Sequence, residues 1–448
     1  MRVDHFIEYW IKILGLILIT SSTVSHAEYL DSVTSKKTED GIDKAIQEKQ
    51  SFNQWKHDFR QRALSKKFTK NFLDKTFLDK VLKDLKPDPD VIKLDSSQPE
   101  FTKSIWQYLD NATSKTRLKK ARKLLKKHRK ILDKVESEYG VSQEIIVAIW
   151  AMESDFGANY GNKNVVRSLA TLAYQGKRTE FAEQELLSAL LILQNQPLDN
   201  KELIGSWAGA MGQTQFMPSS YLKYAVDYDN DGKRDLWRSL PDIFASIANF
   251  LSESDWLEQQ QWGVEVKLLE DFDWHLNTVE HNLEFWRWQR LNVVKVATRS
   301  LSNEDNIFNH PDRQARLFIP AGKNGPVFLI AHNFDVIRQY NKSNSYALAV
   351  AQLSRLLEKG DSENIKAKWP REDKPLSYHQ KEEIQVLLNM AGFDSGKIDG
   401  KIGSITQRAI HNWQYKQGIV ADGYANLLLL KALRKQDADS NINTKEPH

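Results

Sequence analysis

Two groups of residues in this chain have the types and spacing of working chemistry. In Glu144-Ile145-Ile146-Val147-Ala148-Ile149-Trp150-Ala151-Met152-Glu153, the residues Ile145, Ile149 and Glu153 stand four apart, so on a helix they stack on one face. A carboxyl that ends an apolar stripe is poorly solvated, its pKa rises, and it stays protonated near neutrality. That is the state a general acid needs to protonate a glycosidic oxygen. The same spacing also fits a Glu that is simply the first polar residue at a helix end, or one paired with an Arg. Asp155, two residues on, offers a second carboxylate whose direction off the helix end is open, so a two-carboxylate glycosidase stays among the readings.

The second group is Asp227-Tyr228-Asp229-Asn230-Asp231-Gly232-Lys233-Arg234-Asp235, with acidic residues at positions 1, 3, 5 and 9 of an EF-hand-like loop and Gly at 6. Hard oxygen ligands at this spacing suit calcium, and Lys233 at position 7 would give only its backbone carbonyl. Position 12, where a bidentate Glu is expected, is Arg238. An Asp-rich surface turn is the alternative.

The elements that must carry these groups are mainly helical. A helix is expected after Gly140, with Ser142 as N-cap, running to about Ser154, and another over Glu180 to Leu193. The stretch Lys115 to Lys130 holds ten Lys or Arg, yet Leu118, Leu124, Leu125, Ile131, Leu132 and Val135 recur near helical spacing through and beyond it. It reads as a solvated helix face, or else as a surface that attracts an anionic polymer. Five Trp lie between Trp256 and Trp288, among short strand-like runs at Val264-Glu265-Val266 and Leu291-Asn292-Val293-Val294. Core packing and a sugar-binding wall are the two readings of those rings. Phe328 to Ile330 and a helical Tyr346 to Leu357 follow, then Lys366 to Pro375, with two Pro and six charged residues, which has the composition of a linker. Beyond it, Ile384, Leu387 and Leu388, then Ile405 to Trp413, then Leu427 to Leu433 mark three short helices. Two Asp-Gly turns, at Asp399-Gly400 and Asp422-Gly423, separate them and give the region a weak internal repeat.

A chain of 448 residues that is 41% hydrophobic can bury several cores, which excludes disorder throughout. Lys and Arg number 63 against 59 Asp and Glu, a balance of +4 that argues against nucleic acid as a partner. The absence of Cys excludes disulfides, thiolate metal sites, a Cys nucleophile and lipid attachment through Cys. Thirteen Trp and 14 Tyr supply flat amphipathic rings that suit sugar faces as well as cores. At the start, Arg2 and Lys12 precede the apolar run Ile13 to Ile19, and Ser25-His26-Ala27 follows. This is the order of a signal peptide cleaved after Ala27. The run is shorter than the roughly 20 residues of a membrane span, although Asp4 and Glu8 are unusual in such a leader and keep an uncleaved anchor as the alternative. The expected product is soluble and periplasmic, with no integral membrane span after cleavage.

Three stretches together resemble the membrane-bound lytic transglycosylase B family: Ile145 to Gly157, Ser206-Trp207-Ala208-Gly209-Ala210-Met211-Gly212-Gln213-Thr214-Gln215-Phe216-Met217-Pro218-Ser219-Ser220-Tyr221, and Tyr340 to Ala347. The likeness covers roughly residues 50 to 360 and keeps the family's order of motifs. It implies a mainly α fold, a lysozyme-like catalytic domain with a small irregular or β insertion. It also implies that Glu153 is the single catalytic residue, donating a proton to the bond between MurNAc and GlcNAc and accepting one from the MurNAc C6 hydroxyl, so that a 1,6-anhydro sugar forms and Asp155 is dispensable. By the same resemblance Ser206, Gln215 and Arg178 fall on cleft residues, Tyr340, Asn341 and Tyr346 on substrate-side residues, and Tyr108 on a saccharide-contacting aromatic. Without the motifs, Ser206 reads as an N-cap, Gln215 as a core hydrogen-bonder and the Tyr residues as packing. The family has a calcium loop just after Met217-Pro218-Ser219-Ser220, closed by an acidic residue that matches Asp242, so the metal set is Asp227, Asp229, Asp231, Lys233, Asp235 and Asp242. The expected metal is a structural calcium ion, and no cofactor is expected for catalysis. The family's lipidated Cys is missing, which places the likeness with its soluble members.

Ile384-Gln385, Leu388-Asn389, Gly392-Phe393, Ile398-Asp399-Gly400, Gly403, Thr406, Ala409-Ile410, Gln414, Gly418 and Asp422-Gly423 resemble the peptidoglycan-binding-domain-1 family, a three-helix module. Trp413 stands where Phe is usual. The expected division is a signal peptide at 1–27, a flexible leader at 28–50, a lysozyme-like domain at 51–365, a linker at 366–377, the module at 378–435 and a disordered tail at 436–448. The reading is a peptidoglycan lytic transglycosylase whose partners are glycan strands, with other cell-wall enzymes as further candidates. Its rivals are a muramidase acting on the same bond and a non-catalytic wall-binding scaffold.

Overall fold

The acid-bearing segment forms a helix, Gln143–Ser154, buried continuously from Ile145 to Ala151 in a computed structural model that describes residues 51–65, 72–97, 104–196, 199–277, 281–296 and 313–443. The signal peptide and leader at 1–50 lie outside the described residues. The chain divides into units at 1–59 and 60–448. In the first, the helix Phe52–Ser65 begins, with Trp55 stacked on Phe52 and Phe59 at 5.3 and 5.2 Å.

In the second unit, Gly140 in a left-handed conformation (φ 67°) ends the helix Arg129–Tyr139 and turns the chain into Gln143–Ser154. Ser142 occupies the N-cap position in extended conformation but makes no side-chain capping bond. A helix apolar on all sides must be covered on all sides. The helices Asn344–Lys359, Leu240–Ser252, Lys115–Lys127 and Arg129–Tyr139 all pack on it. Trp150 wedges edge-on against Phe244 and Phe156, with centroids 5.1 and 5.4 Å away. The expected helix near Glu180 runs over Thr179–Asn195 and packs on Val165–Gln175. In the basic helix Lys115–Lys127, Leu118 and Ala121 are buried while most of its cations face solvent, in agreement with an amphipathic helix.

Two antiparallel sheets complete this part. β1 (Lys163–Asn164) pairs with β2 (Ile204–Gly205). The larger sheet has the order β4-β6-β7-β3-β5, formed by β3 (Gly263–Leu268), β4 (Leu283–Glu284), β5 (Val293–Lys295), β6 (Gln314–Phe318) and β7 (Val327–Ile330). Val264 pairs with Leu329, and Leu329 with Leu317, which places β7 between β3 and β6. Val264, Val266, Val293, Leu317, Leu329 and Trp288 share one core. Trp288 is fully buried, its indole N–H donating to the Ala315 carbonyl at 2.7 Å, and Trp262 is buried with Arg355 stacked 4.5 Å from its ring. Both rings are therefore core packing and not part of a sugar-binding wall.

The segment with linker composition is held down. Glu265, buried in β3, accepts the backbone N–H of Lys366 at 2.8 Å and of Ala367 at 2.7 Å. Arg371 makes a two-pronged bond to Asp110, and Trp369 lies against Trp106 with centroids 6.2 Å apart. A buried carboxylate needs such partners, and here the nominal tether supplies them.

Three helices follow, Tyr378–Met390, Ser404–Lys416 and Leu427–Asn443, around Ile384, Leu387, Leu388, Ile410, Trp413 and Leu430. The internal repeat has a physical basis in two buried glutamines. Gln385 Oε1 accepts the N–H groups of Asp399 and Gly400 at 3.0 and 2.8 Å, and Gln414 Oε1 accepts that of Gly423 at 2.8 Å. The last helix continues through residues 436–443, where a disordered tail was expected. Gln436 accepts the Trp413 indole N–H at 2.6 Å, giving that stretch a buried partner that its polar composition does not reveal. Among the described residues, no helix is long and apolar enough to cross a membrane.

Candidate active site

Glu153 sits in the last turn of Gln143–Ser154, and the chain beyond it is tightly determined. Asp155, Phe156 and Gly157 are consecutively left-handed, with φ of 48°, 60° and 79°. Asp155 N–H keeps an ordinary helical bond to the Ala151 carbonyl at 3.2 Å, while Phe156 N–H reaches six residues back to the Trp150 carbonyl at 3.3 Å, so the helical ladder ends here. Two non-glycine residues in this region cost about 1 kcal/mol each, and the surroundings offset that. Ser154 Oγ accepts the Gly157 N–H at 3.1 Å, and Lys120 Nζ reaches the Asp155 carbonyl at 3.0 Å and its carboxylate at 3.1 Å. Lys120 also lies 4.8 Å from the Phe156 ring centre.

The Glu153 carboxyl accepts a 2.6 Å hydrogen bond from the Tyr346 hydroxyl. Burial pushes its pKa up to about 7, and the Tyr346 bond pulls the other way. No second carboxylate figures among the influences on it. Tyr346 is brought there by the start of the helix Asn344–Lys359, where Ser343 caps its backbone N–H at 3.3 Å. Tyr340 is half-buried close by and donates to the Thr214 carbonyl at 2.7 Å. Burial, then the Glu153 charge, raise both phenols well above their usual range, and for Tyr346 the charges of Tyr340 and Tyr108 add to this. Four predicted site residues, Glu153, Tyr346, Tyr340 and Tyr108, are thus electrostatic neighbours.

Glu144 also has a pKa near 7, from burial and the nearby Glu136 and Glu358. It lies in the first turn of the same helix, about 13 Å along the axis from Glu153, and lacks the tyrosine partners.

The other predicted residues take different places. Ser206 Oγ accepts the Ala210 N–H at 3.0 Å, and Gln215, left-handed at φ 51°, donates to the carbonyls of Gly212 at 2.9 Å and Tyr160 at 3.1 Å. Both hold the loop whose Thr214 carbonyl meets Tyr340. Asn341 is exposed, its side-chain oxygen accepting the Ser343 N–H at 3.1 Å. Arg178 stands exposed before Thr179–Asn195, its guanidinium 5.3 Å from the Phe181 ring centre.

Gln213, which the sequence reading passes over, connects more than any of these. Its Oε1 accepts the Trp150 indole N–H at 2.7 Å, its Nε2 donates to the Trp237 carbonyl at 2.7 Å, and its backbone N–H donates to the Leu236 carbonyl at 2.7 Å. A methyl group on Gly157 would collide with this amide. Position inside a recognisable motif was the available signal, but nothing distinguishes Gln213 from Gln215 by type.

Of the six predicted metal residues, the carboxylates of Asp227, Asp229 and Asp242 converge, with oxygens within 4.8 Å of one another. Asp242 is fully buried, and burial raises its pKa although the Tyr228 and Asp235 N–H groups bond it at 2.8 Å each. Converging hard oxygens around a buried carboxylate fit calcium. Asp231, Lys233 and Asp235 stand outside this cluster. Asp231 accepts the Lys233 N–H at 2.8 Å, and Asp235 accepts those of Trp237 and Arg238 at 2.9 Å, so these two carboxylates shape the turn.

The chain is similar to several known proteins. It is 33% identical over 226 residues to the membrane-bound lytic murein transglycosylase B of Escherichia coli K12, a match over 50% of this chain and 59% of that protein's length. It is 45% identical to SltB3 of Pseudomonas aeruginosa, solved in complex with NAG-anhNAM-pentapeptide, with a TM-score of 0.79 over 86% of this chain and all of that one. It is 27% identical to the Escherichia coli lytic transglycosylase Slt35 in complex with calcium, with a TM-score of 0.55 over 68% of this chain and 92% of that one. Residues 380–433 match the peptidoglycan binding domain family. Residues 51–355, around Glu153 and its tyrosines, match the Transglycosylase SLT domain family, and the chain belongs to that family.

Proposed function

We propose that this protein is a lytic transglycosylase that breaks the β-1,4 bond between MurNAc and GlcNAc in peptidoglycan. The observation that carries the reading is the Glu153 carboxyl, isolated from other carboxylates, held by Tyr346 at 2.6 Å and raised to about pKa 7. Protonated, it gives its proton to the glycosidic oxygen as the C1–O bond breaks. As carboxylate, it takes the proton of the MurNAc C6 hydroxyl as that oxygen bonds to C1. The proton count closes, no water enters, and one group near neutrality serves both steps. Hydrolytic glycosidases use two carboxyls set apart across the bond, whereas Asp155 is engaged by Lys120 at 3.1 Å.

Tyr340, Tyr346 and Tyr108 form the wall beside the acid, and Ser206 and Gln215 keep the facing loop in shape for the glycan. Asp227, Asp229 and Asp242 would hold a structural calcium ion, whose charge would offset their mutual repulsion. The helical module retains the enzyme on the wall, and export through a leader ending at Ala27 delivers it to the periplasm. Mass spectrometry of products from purified sacculi tests the reaction. Anhydro-MurNAc ends are expected from the wild type and none from Glu153→Gln, while reducing MurNAc ends would make the protein a muramidase.

A further inference from the structure

The segment Tyr340 to Tyr346 has two uses. Tyr346 reaches the Glu153 carboxyl, while Lys342, Asn344 and Ser345 line a separate cavity of about 430 Å³ between the β6 side of the sheet and the carboxy-terminal module. The module's wall of that cavity includes Gln407, Arg408 and His411, and the sheet side adds Arg316 and Arg338. The two sides are fastened together. Asn277 Nδ2 bonds the carbonyls of Ala421 and Asp422 at 3.3 and 3.1 Å, and His411 Nε2 lies 3.0 Å from the Trp274 carbonyl. Asp422 also accepts the Lys323 N–H at 3.0 Å.

The cavity is cationic. Arg316 and Arg338 share a single carboxylate, Asp335, with contacts of 2.6, 2.7 and 3.2 Å, so one positive charge of the two is uncompensated there. Arg338 Nε is buried with no acceptor. Lys342 is exposed at the rim and adds a further cation, and the exposed Arg408 lines the module's side, while the lining carboxylate Asp422 is engaged by Gln414 and by the Lys323 and Tyr424 backbones. A planar carboxylate is the ligand that arginine forks fit best.

We propose that this junction cavity binds the carboxylates of a peptidoglycan stem peptide, the one borne by the MurNAc at the scissile bond. The proposal rests on the transglycosylase reading above. The stem leaves the lactyl group of that MurNAc, and the chain that positions the acid's partner Tyr346 continues directly into the cavity rim through Ser345 and Asn344. The module is thereby part of the substrate site, and its Arg408 faces the same ligand as Lys342.

The test compares glycan strands carrying tetrapeptide stems with the same strands stripped by an amidase. The full-length wild type is set against the exposed double charge reversal Lys342→Glu/Arg408→Glu, with melting temperature as the folding control. The wild type should prefer peptide-bearing strands by about tenfold in kcat/KM, the scale of two partly exposed charge-assisted contacts. The variant should bring that ratio below about twofold. Arg408→Ala alone should give an intermediate ratio. The free tetrapeptide should perturb NMR signals of Lys342 and Arg408 neighbours in the wild type and not in the variant. An unchanged ratio in the variant, or equal rates on the two substrates in the wild type, would overturn the proposal. Failure of the wild type to form anhydro ends from either substrate would instead overturn the transglycosylase reading, because the ratio is measured whatever the chemistry of the ends.

Discussion

The indole of Trp150 donates to Gln213 Oε1 at 2.7 Å, and through that one amide the helix that carries Glu153 is tied to the Leu236-Trp237 segment at the end of the acidic loop. The bond lies one turn before Glu153, inside the core. Anything that frees the Trp150 side chain loosens the last turn of the helix and hence the direction of the acid.

Gln213→Leu leaves the Trp150 N–H and the Trp237 carbonyl buried and unpaired. Such groups cost about 1–3 kcal/mol each, so the melting temperature should fall. kcat on peptidoglycan should fall more than KM rises, because the acid is misdirected while the cleft remains. Equal losses in both constants would make Gln213 a stability residue only.

The Glu153 carboxyl, raised to about 7 by burial, binds a proton more tightly in the folded than in the unfolded chain. Its contribution is therefore intact below the unfolded value of 4.5 and is lost as pH rises to about 7. Glu153→Gln removes this loss, so the variant should gain stability over wild type between pH 4.5 and 8, by an amount on the order of 3 kcal/mol at most. Denaturant titrations at the two pH values measure it. A variant equally offset at both would show that the carboxyl is not desolvated.

Tyr346→Phe deletes the hydrogen bond that lowers the Glu153 pKa. Removing it raises that pKa further, so the alkaline limb of kcat should move to higher pH while the maximum rate falls. A limb that stays in place would separate the titrating group from Glu153.

Calcium should raise the melting temperature of the wild type, by about 2.7 kcal/mol of stability at a hundredfold excess over Kd. Asp242→Asn should abolish most of that shift, since its carboxylate lies in the converging cluster. Asp231→Ala should reduce it less, because Asp231 is turned to the Lys233 N–H. A full shift in the Asp242 variant would move the metal elsewhere.

Glu265→Ala should free the backbone of Lys366 and Ala367. Limited trypsin digestion should then cut at Lys366 or Lys368 faster than in the wild type, and an unchanged rate would mean that Arg371 and Trp369 hold the strap unaided.

Glu153 was legible in part from the apolar stripe that it ends, which leaves a plain helix-end Glu or an Arg-paired one open, and was singled out by the motifs around it. The module was legible because Asp-Gly turns declare themselves locally. The metal set was legible in part. Spacing within 227–235 favoured Asp231, but the geometry gathers Asp242, which the first turn of Leu240–Ser252 swings back over the loop. The five-stranded sheet was seen only as fragments, since its order β4-β6-β7-β3-β5 depends on pairings between distant segments. Gln213 escaped for a related reason. Its partners Trp150 and Trp237 lie 63 and 24 residues away, and nothing local distinguishes it from Gln215, which the left-handed backbone turns elsewhere.

The strap held by Glu265 changes how a wall-bound enzyme would work. A module on a loose leash stays attached while its catalytic partner swings over many bonds, so one landing yields many cuts. Here residues 366 and 367 are bonded to the sheet and Arg371 to Asp110, so under the proposed function each landing of the module would present one stretch of glycan to Glu153. The number of bonds broken per unit time is then bounded by how quickly the module lets go, and a mutation that tightens wall retention slows turnover on insoluble sacculi while leaving short soluble strands untouched.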